Sequence, residues 1–284
     1  MKGIILAGGS GSRLYPVTKT ISKQFLLVYD KPVIYHPLTT LMDGGIKHIL
    51  IITTEQYLPM YEKQLGNGSQ FGIKISYKIQ AEPKGIADAF IIGEEFIAND
   101  NVTLLLGDNI FLGQFSFSEA VKSFEKGAVV FSYPVENPEA FGIVEVDENG
   151  KVLSLIEKPK EPKSNLAVVG IYIYSSQVVE IAKSLEPSPR GELEITDINK
   201  MYLAKENLRV VHIKKENRWF DCGSYDSLLE VGNCVSKMDT GTKLSLGYPE
   251  YTAFENNFIT KEQYLKLIDK MPECGYKKTL LEAL

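Results

Sequence analysis

Short apolar runs alternate with amphipathic stretches through the first half of the chain, and this rhythm predicts strands that cross over through helices onto a parallel sheet. The predicted strands are Gly3 to Ala7, Ile49 to Thr53, Ile73 to Ile79, Val102 to Leu106 and Ala128 to Tyr133. The predicted helices between them are Val33 to Asp43, Gln56 to Leu65, Ile86 to Phe96 and Ser116 to Phe124. The pattern indicates an α/β fold with a Rossmann-like, doubly wound and mostly parallel central sheet.

The pattern changes after Tyr133 to shorter pieces that are typical of antiparallel hairpins. Two predicted strands, Ile143 to Val146 and Val152 to Glu157, are joined by Asp147-Glu-Asn-Gly150, whose Asn-Gly pair is a strong turn signal. The remaining predicted elements are a strand from Leu208 to Lys214 and helices at Tyr225 to Val235, Lys261 to Lys270 and Tyr276 to Leu284. We therefore expect an inserted antiparallel portion, a main domain over residues 1–240 and a helical extension over residues 241–284.

Composition and charge limit the classes of partner and the cellular compartment that we expect for this protein. The chain carries 31 basic and 36 acidic side chains, a net charge of −5, which argues against nucleic acid and anionic membranes as partners. The longest apolar run, Phe25 to Tyr29, is far shorter than the roughly 20 residues of a membrane helix. Met1 and Lys2 lead directly into a predicted core strand instead of a signal peptide, so we expect a cytoplasmic protein. The spacing of the cysteines, Cys222, Cys234 and Cys274, suggests neither a zinc site nor a disulfide framework.

A glycine-rich loop, Gly8-Gly-Ser-Gly-Ser-Arg13, follows the first predicted strand. Glycines let backbone N–H groups converge on an anion, and Arg13 adds a charged fork that suits phosphate oxygens. A Walker loop that starts at Gly8 would need Gly-Lys-Ser/Thr to begin where Arg13 stands, and a dinucleotide fingerprint that starts at Gly9 would need glycine at Leu14. The loop either binds phosphate in a third way or makes only a tight turn.

Two segments, Gly8-Gly-Ser-Gly-Ser-Arg-Leu-Tyr-Pro16 and Ser22-Lys-Gln24, together resemble the amino-terminal signature of the sugar-phosphate nucleotidyltransferases. The resemblance extends over almost the entire chain. Further matching stretches are Leu106-Gly-Asp-Asn-Ile-Phe111, Glu157-Lys-Pro159, Pro162-Lys-Ser-Asn165, Arg190-Gly-Glu-Leu-Glu-Ile-Thr-Asp197 and Trp219-Phe-Asp-Cys-Gly223.

The resemblance implies that a phosphate oxygen of a sugar 1-phosphate attacks the α-phosphorus of a nucleoside triphosphate, with Mg²⁺ as the cofactor. The implied substrates are dTTP and α-D-glucose 1-phosphate, and the implied products are pyrophosphate and dTDP-glucose, which would feed dTDP-rhamnose or other deoxysugar synthesis for surface polysaccharide. It also implies a homotetramer in which the carboxyl-terminal region carries a second nucleotide site for feedback inhibition. Two alternatives stay open: a uridylyltransferase or a relative that acts on another hexose 1-phosphate, and a non-catalytic nucleotide-sugar sensor.

The same resemblance assigns roles to individual residues. Asp108 and Asp221 match the metal-binding aspartates, Arg13 and Lys23 match basic residues at the triphosphate, and Lys158 matches the lysine that holds the sugar phosphate; these five are the implied catalytic residues. The implied nucleotide-binding set is Gly8, Gly9, Gly11, Ser12, Arg13, Lys23, Gln24, Gln80, Gly85 and Asp108. The implied sugar-phosphate-binding set is Asn109, Gly142, Glu157, Lys158 and Val168.

Local chemistry limits some of these roles. An aspartate after a strand is often only a turn former, and most lysines are simply solvated. Lys158 and Glu157 can face one site only if their strand ends or bulges there, because neighbouring side chains of a strand point to opposite faces. Gln80 can both donate to and accept from a pyrimidine imide, but it cannot separate thymine from uracil, whose difference of one methyl is worth about 1 kcal/mol.

Four positions depart from the family pattern. Ser12, Leu27, Phe141 and Cys222 stand where threonine, proline, tyrosine and threonine are usual. None of these departures removes a charged group, but Phe141 lacks a hydroxyl near the sugar and Cys222 brings a thiol close to the metal-binding aspartates.

Overall fold

A computed structural model of the chain describes residues 1–238, 244 and 246–284, and the predicted domain boundary between residues 240 and 241 lies outside the described residues. Its strands are β1 (Lys2–Leu6), β2 (Leu27–Val28), β3 (Lys31–Pro32), β4 (His48–Thr53), β5 (Lys74–Ile79), β6 (Val102–Leu106), β7 (Asn109–Leu112), β8 (Ala128–Pro134), β9 (Gly142–Val146), β10 (Val152–Glu157), β11 (Leu166–Tyr174), β12 (Leu208–His212) and β13 (Arg218–Asp221). Its α-helices are α1 (Tyr35–Asp43), α2 (Leu58–Leu65), α3 (Asp88–Ile92), α4 (Glu94–Ile97), α5 (Phe117–Lys122), α6 (Val178–Lys183), α7 (Ile195–Ala204), α8 (Tyr225–Ser236), α9 (Pro249–Glu255), α10 (Lys261–Asp269) and α11 (Gly275–Leu281). None of the helices in these residues combines the length and the hydrophobicity that a membrane crossing requires.

The main sheet has the strand order β10-β9-β11-β6-β1-β4-β5, with β8 paired to β11 and β12 paired to β8. Its centre is parallel, because β1 pairs in parallel with β4 and β6, and β4 pairs in parallel with β5. β11 runs antiparallel to both β6 and β8, and the β9–β10 hairpin attaches to its edge. The sheet confirms the predicted α/β fold and its inserted antiparallel portion.

Buried side chains alternate between the two faces of the sheet. Ile4 and Leu104 belong to one core cluster, whereas their neighbours Ile5 and Leu105 belong to the other. Strands of a central parallel sheet are covered on both faces, so they appear in the sequence as continuous apolar runs.

The carboxyl-terminal helices pack on the same core as the sheet. Tyr264 of α10 and Leu280 of α11 are both fully buried, and the Tyr264 hydroxyl donates to the Leu280 carbonyl at 2.9 Å. Ile268 joins them, whereas Leu265 and Leu281 stay exposed. The apolar side chains of these helices therefore pack mainly in the core.

The prediction of one continuous helix from Ile86 to Phe96 is wrong. The chain forms two short helices, α3 and α4, which are separated at Gly93. A side chain at Gly93 would have its Cβ 3.0 Å from the Ile4 side chain, so the glycine permits close packing on β1. Two predicted helices also begin two residues later than expected, at Tyr35 and Leu58.

Three strands important for the site were not predicted from the sequence. β11 reads as an uninterrupted apolar segment, which does not separate a strand from a helix by period. β7 and β13 span four residues each and pair with each other in a separate antiparallel ribbon. Their pairing is a tertiary contact between distant segments, which no local pattern encodes.

Candidate active site

The candidate site lies at the carboxyl edge of the parallel strands, between β1 and β6. The glycine-rich loop leaves β1, and Gly107 and Asp108 leave β6. Leu6 stands opposite Leu106, and the Gly107 amide donates to the Leu6 carbonyl at 2.9 Å, so the two segments lie side by side. The chain continues from β1 to β4 and β5 on one side before it returns to β6 on the other. Open α/β sheets bind their ligands at such a switch point.

The glycines of the loop are required by their neighbours. Gly11 has φ +62°, and its carbonyl accepts from the Thr18 hydroxyl at 2.8 Å. A Cβ at Gly8 would lie 2.7 Å from Oε1 of Gln80. After Gly11 the chain enters the tight 3-10 turn Ser12–Leu14, which carries Arg13. The sequence therefore gives this loop a bare backbone at the switch point, with a cation at its end.

Lys23 bridges the loop and the end of β6. Its ammonium forms an ion pair with the Asp108 carboxylate, and the two side chains are only 14% and 12% exposed. The same ammonium lies 3.7 Å from the position of a Cβ at Gly9. Burial pushes the pKa of Asp108 upward, but the charge of Lys23 and hydrogen bonds from Lys23 and Asn109 outweigh it and hold this pKa below its usual range.

Gln24 anchors the turn that carries Lys23. It is buried, and its Oε1 accepts from the Ser22 hydroxyl at 2.6 Å and from the Tyr61 hydroxyl at 3.3 Å. Its carbonyl also accepts from the Ile34 amide at 2.8 Å. These bonds hold Lys23 in place, and direct contact between Gln24 and nucleotide stays a prediction.

The β7–β13 ribbon brings Asp221 to Asp108. Asp221 is paired with Asn109 in the ribbon register, and the Cys222 amide donates to the Asp108 carbonyl at 2.9 Å. Burial, and after it the charge of Asp108, raises the pKa of Asp221. Two carboxylates more than 100 positions apart in the sequence thus form one acidic pair.

Arg13 lies beside this pair, and Gly223 makes room for it. The guanidinium is 3.6 Å from the Asp221 carboxylate, and the Arg13 side chain is 69% exposed. A Cβ at Gly223 would lie 2.3 Å from Nη2 of Arg13 and 3.1 Å from Oδ1 of Asp221. The glycine of the Trp219-Phe-Asp-Cys-Gly223 motif therefore positions the arginine that was singled out in the loop.

The Asp108–Asp221 pair suits a divalent metal. The mutual repulsion that raises the pKa of Asp221 is the kind that a cation between the carboxylates relieves. Among the described residues, no cluster of three or more His, Cys, Asp or Glu side chains forms an all-protein metal cage. Mg²⁺ commonly takes one or two carboxylates and completes its shell with phosphates and water, so two aspartates beside a glycine-rich loop fit it.

Gln80, one of the two predicted base-reading residues, borders a cavity beside the glycine loop. This cavity has a volume of about 420 Å³, and Gly9, Thr54, Tyr57 and Gln80 line it. Gly85 lies at the end of the loop after Gln80 and has φ +99°. A Cβ at that position would lie 2.4 Å from a backbone carbonyl of the segment that leads into α7, so this glycine is needed for packing as well.

A second polar cluster gathers around Glu157 at the end of β10. Its Oε2 accepts from the Thr196 hydroxyl at 2.6 Å, and its Oε1 lies 3.7 Å from the Arg190 guanidinium. A Cβ at Gly142 would lie 3.1 Å from both Glu157 and Thr196. The predicted sugar-pocket residues Glu157 and Gly142 are therefore brought together, and Thr196 and Arg190 join them.

Lys158 adopts a backbone conformation that allows it to face the same site as Glu157. β10 ends at Glu157, and Lys158 has φ +43°, a left-handed value that is uncommon for residues other than glycine. Its amide donates to the Phe141 carbonyl at 3.0 Å. Adjacent side chains here no longer point to opposite faces of a strand, so Glu157 and Lys158 can serve one site.

Asn109 and Val168 occupy supporting positions. The Asn109 amide group donates to Asp108 at 3.2 Å, while its Oδ1 accepts from Trp219 at 2.7 Å and from the Gly170 amide at 3.1 Å. Val168 lies in β11 and packs partly buried against two core clusters. Their contribution to sugar-phosphate binding stays a prediction.

The two unusual residues near the site have ordinary packing roles. Cys222 is buried, and burial, followed by the charges of Asp108 and Asp221, raises the pKa of its thiol well above the usual range. A protonated, buried thiol is a poor nucleophile and is protected from oxidation. The Phe141 ring packs edge-on against Trp219, with ring centroids 5.3 Å apart.

Sequence reasoning missed three functional candidates. Thr196 and Asp88 lie on α7 and α3 and reach Glu157 and Gln80, respectively. Arg190 and Thr196 both lie in the matching stretch 190–197, but neither was given a role in the site. That match was the only available signal for these two, and Asp88 had none.

A larger cavity, of about 770 Å³, opens away from this site between α1, α5 and α9. Asp43, Glu119 and Glu255 line it, and its described lining contains neither lysine nor arginine. Such a lining does not favour a polyanion, so the predicted feedback site for a nucleotide finds no cationic support here.

Comparisons with known proteins agree with this geometry. The family model described as Nucleotidyl transferase matches residues 2–237. A glucose-1-phosphate thymidylyltransferase of Neisseria meningitidis is 49% identical over 287 aligned residues, which cover 100% of this chain and 99% of that protein. The enzyme of the same name from Mycobacterium tuberculosis is 46% identical over 286 aligned residues, which cover 100% of this chain and 99% of that protein. A Bacillus anthracis crystal structure assigned to this enzyme, in complex with sucrose, has a TM-score of 0.78 at 41% identity and covers 84% of this chain and 96% of that chain.

The glycine-rich loop at the switch point, the acidic pair and the family match define the class: the chain belongs to the nucleotidyl transferase family. Within that family, relatives named glucose-1-phosphate thymidylyltransferase align along its full length.

Proposed function

We propose that this protein is an enzyme of nucleotide-sugar synthesis that joins dTTP and α-D-glucose 1-phosphate into dTDP-glucose and releases pyrophosphate. The observation that carries the proposal is the convergence of two cations, Arg13 and Lys23, with two carboxylates, Asp108 and Asp221, beside a glycine loop. A sensor would need to bind ligand but would not need both the leaving-group cations and the metal-type pair. The full-length relatives that carry the name of this activity support the same choice.

The two cations divide the work on the triphosphate. Lys23 is buried between the loop and Asp108, so it meets the phosphate groups at a fixed point in a water-poor environment. Arg13 is exposed at the loop end, where its planar fork can pair with the departing pyrophosphate. Phosphoryl transfer of this kind depends mainly on alignment and on charge stabilisation, and these residues supply both.

Asp108 and Asp221 would hold Mg²⁺, which screens the two polyanionic substrates and stabilises charge on the leaving pyrophosphate when it is bound. The protein prepares this pair from two sides. Lys23 and Asn109 keep Asp108 ionised, and the ribbon pairing fixes Asp221 next to it.

Glucose 1-phosphate would occupy the Glu157 cluster. Thr196 holds one Glu157 oxygen, which leaves the carboxylate oriented to accept from sugar hydroxyls. Lys158 would meet the sugar phosphate from the adjacent left-handed position, with Asn109 and the backbone at Gly142 and Val168 completing the pocket. The dTDP-glucose formed would supply dTDP-rhamnose or other deoxysugars for surface polysaccharide.

The remaining expectations belong to the same proposal. We place the enzyme in the cytoplasm as a homotetramer, with a catalytic domain over residues 1–240 and an assembly or regulatory extension over residues 241–284. The exposed Leu265 and Leu281 on the carboxyl-terminal helices give this extension apolar surface for contact between subunits.

Replacement of the acidic pair tests the proposal. We expect Asp108→Ala and Asp221→Ala to lower pyrophosphate release at ordinary Mg²⁺ by at least about 10³-fold, because each removes half of the metal site. Asp226→Ala, on the exposed first turn of α8, is the matched control and should keep wild-type activity. Circular dichroism should show the same fold in all three. Substantial turnover by either site variant would contradict the metal assignment.

A further inference from the structure

The Gln80 side chain has its donors committed within the protein. Its Nε2 donates to Oδ2 of Asp88 at 2.9 Å in a buried contact, and it lies 3.5 Å from the Gly85 carbonyl. Gln80 is 5% exposed and Asp88 is 9% exposed. A primary amide has two N–H groups, so these two acceptors account for both of them.

The chemistry of Asp88 fixes which way the amide faces. A carboxylate accepts hydrogen bonds and has none to donate, so it selects the nitrogen of Gln80 and turns the oxygen away. Oε1 then points toward the glycine loop, where it lies 2.7 Å from the position of a Cβ at Gly8. The backbone of Gln80 is fixed as well, because its backbone N–H donates to the Thr53 carbonyl at 2.8 Å.

The geometry points to Asp88 as a positioning residue that makes Gln80 present only its carbonyl oxygen to the nucleobase. This inference rests on the proposed function and deepens it. Thymine and uracil carry a hydrogen at ring N3 that this oxygen accepts. Cytosine has a lone pair at N3, which would face the Gln80 oxygen without a hydrogen between them. The site therefore selects pyrimidines that carry a hydrogen at N3, because the Gln80 oxygen accepts from this hydrogen and Asp88 sets the orientation of that oxygen.

Asp88→Asn tests the orienting role with almost no change in shape. Asparagine can offer either an oxygen or an amide group, so Gln80 is free to turn and present its nitrogen to cytosine. We expect kcat/KM for dCTP relative to dTTP to rise about tenfold or more in Asp88→Asn, since one mispaired hydrogen bond is corrected. In the exposed control Asp226→Asn the ratio should stay at the wild-type value. A folded Asp88→Asn variant with the wild-type ratio would overturn the inference.

A second measurement uses the wild-type protein alone, and it can overturn the inference even if Asp88→Asn does not fold. Thymidine and 3-methylthymidine differ at the N3 hydrogen, and we expect the methylated nucleoside to bind at least about tenfold more weakly in calorimetry. Equal binding would overturn the acceptor role of Gln80. Failure of the wild-type protein to release pyrophosphate from dTTP would instead refute the proposed function, while this binding comparison would still report on Gln80.

Discussion

The substitution Gly223→Ala tests whether catalysis depends on the position of Arg13, because it displaces the guanidinium and leaves its charge unchanged. The added methyl would lie 2.3 Å from Nη2 of Arg13, whereas ordinary contacts begin near 3.4 Å, so the guanidinium must move by about 1 Å. It would also press on Asp221 at 3.1 Å. The atom that must move is the free end of an exposed, flexible side chain, so we expect the free energy of unfolding to change by less than about 0.5 kcal/mol.

Catalysis should respond far more strongly than stability. A misplacement of about 1 Å can lower the rate about 100-fold, which corresponds to about 2.7 kcal/mol of transition-state stabilisation. Steady-state pyrophosphate release would measure this loss, and urea unfolding would measure stability. Gly275→Ala is the control, because a Cβ there meets nothing within 4 Å.

A double variant sharpens the test. If Gly223→Ala acts through Arg13, it should add little to the loss already caused by Arg13→Ala. Wild-type kcat/KM in Gly223→Ala, or a full additional loss in the double variant, would refute the positioning of Arg13 by this glycine.

Two further predictions concern stability and the sugar site. Burial, and after it the charge of Lys31, lowers the pKa of His36 to about 3, so the unfolded chain binds more protons below pH 6.5 and wild-type stability falls as the pH falls. At pH 5 the free energy of unfolding of the wild type should be about 2 kcal/mol lower than at pH 7.5, and His36→Phe should not show this loss. Urea unfolding at the two pH values measures it, and the same pH dependence in both proteins would contradict the prediction. Thr196→Val removes the donor to Glu157 and should raise the KM for glucose 1-phosphate about fivefold without changing the KM for dTTP, and equal shifts in both constants would count against a local sugar-site role.

The sequence could locate the nucleotide end of the site because local patterns define it. Gly8 to Arg13 and Asp108 each follow a strand whose end is visible in the sequence, and strand ends meet at one edge of a parallel sheet. Asp221 has no such signal. It reaches Asp108 through the short β7–β13 ribbon, so only the family resemblance identified it.

Supporting side chains were beyond local reasoning for a different reason. Asp88 and Thr196 lie on helices, and which neighbour a helical side chain meets depends on how the helix packs against the sheet. Gly93 shows the same limit, because the break between α3 and α4 arises from contact with β1 and not from the helical pattern itself. The strand that was hidden in the apolar segment 166–174 is buried on both faces, which removes the alternation that would have revealed it.

The most direct test of the central claim is pyrophosphate release by the wild-type protein from a matrix of nucleoside triphosphates and hexose 1-phosphates, with and without Mg²⁺. We predict the highest kcat/KM for dTTP with glucose 1-phosphate, measurable use of UTP and dUTP, and loss of activity when Mg²⁺ is chelated. Equal efficiency with all four bases, a clear preference for another sugar 1-phosphate, or turnover that is unaffected by chelation would contradict the account.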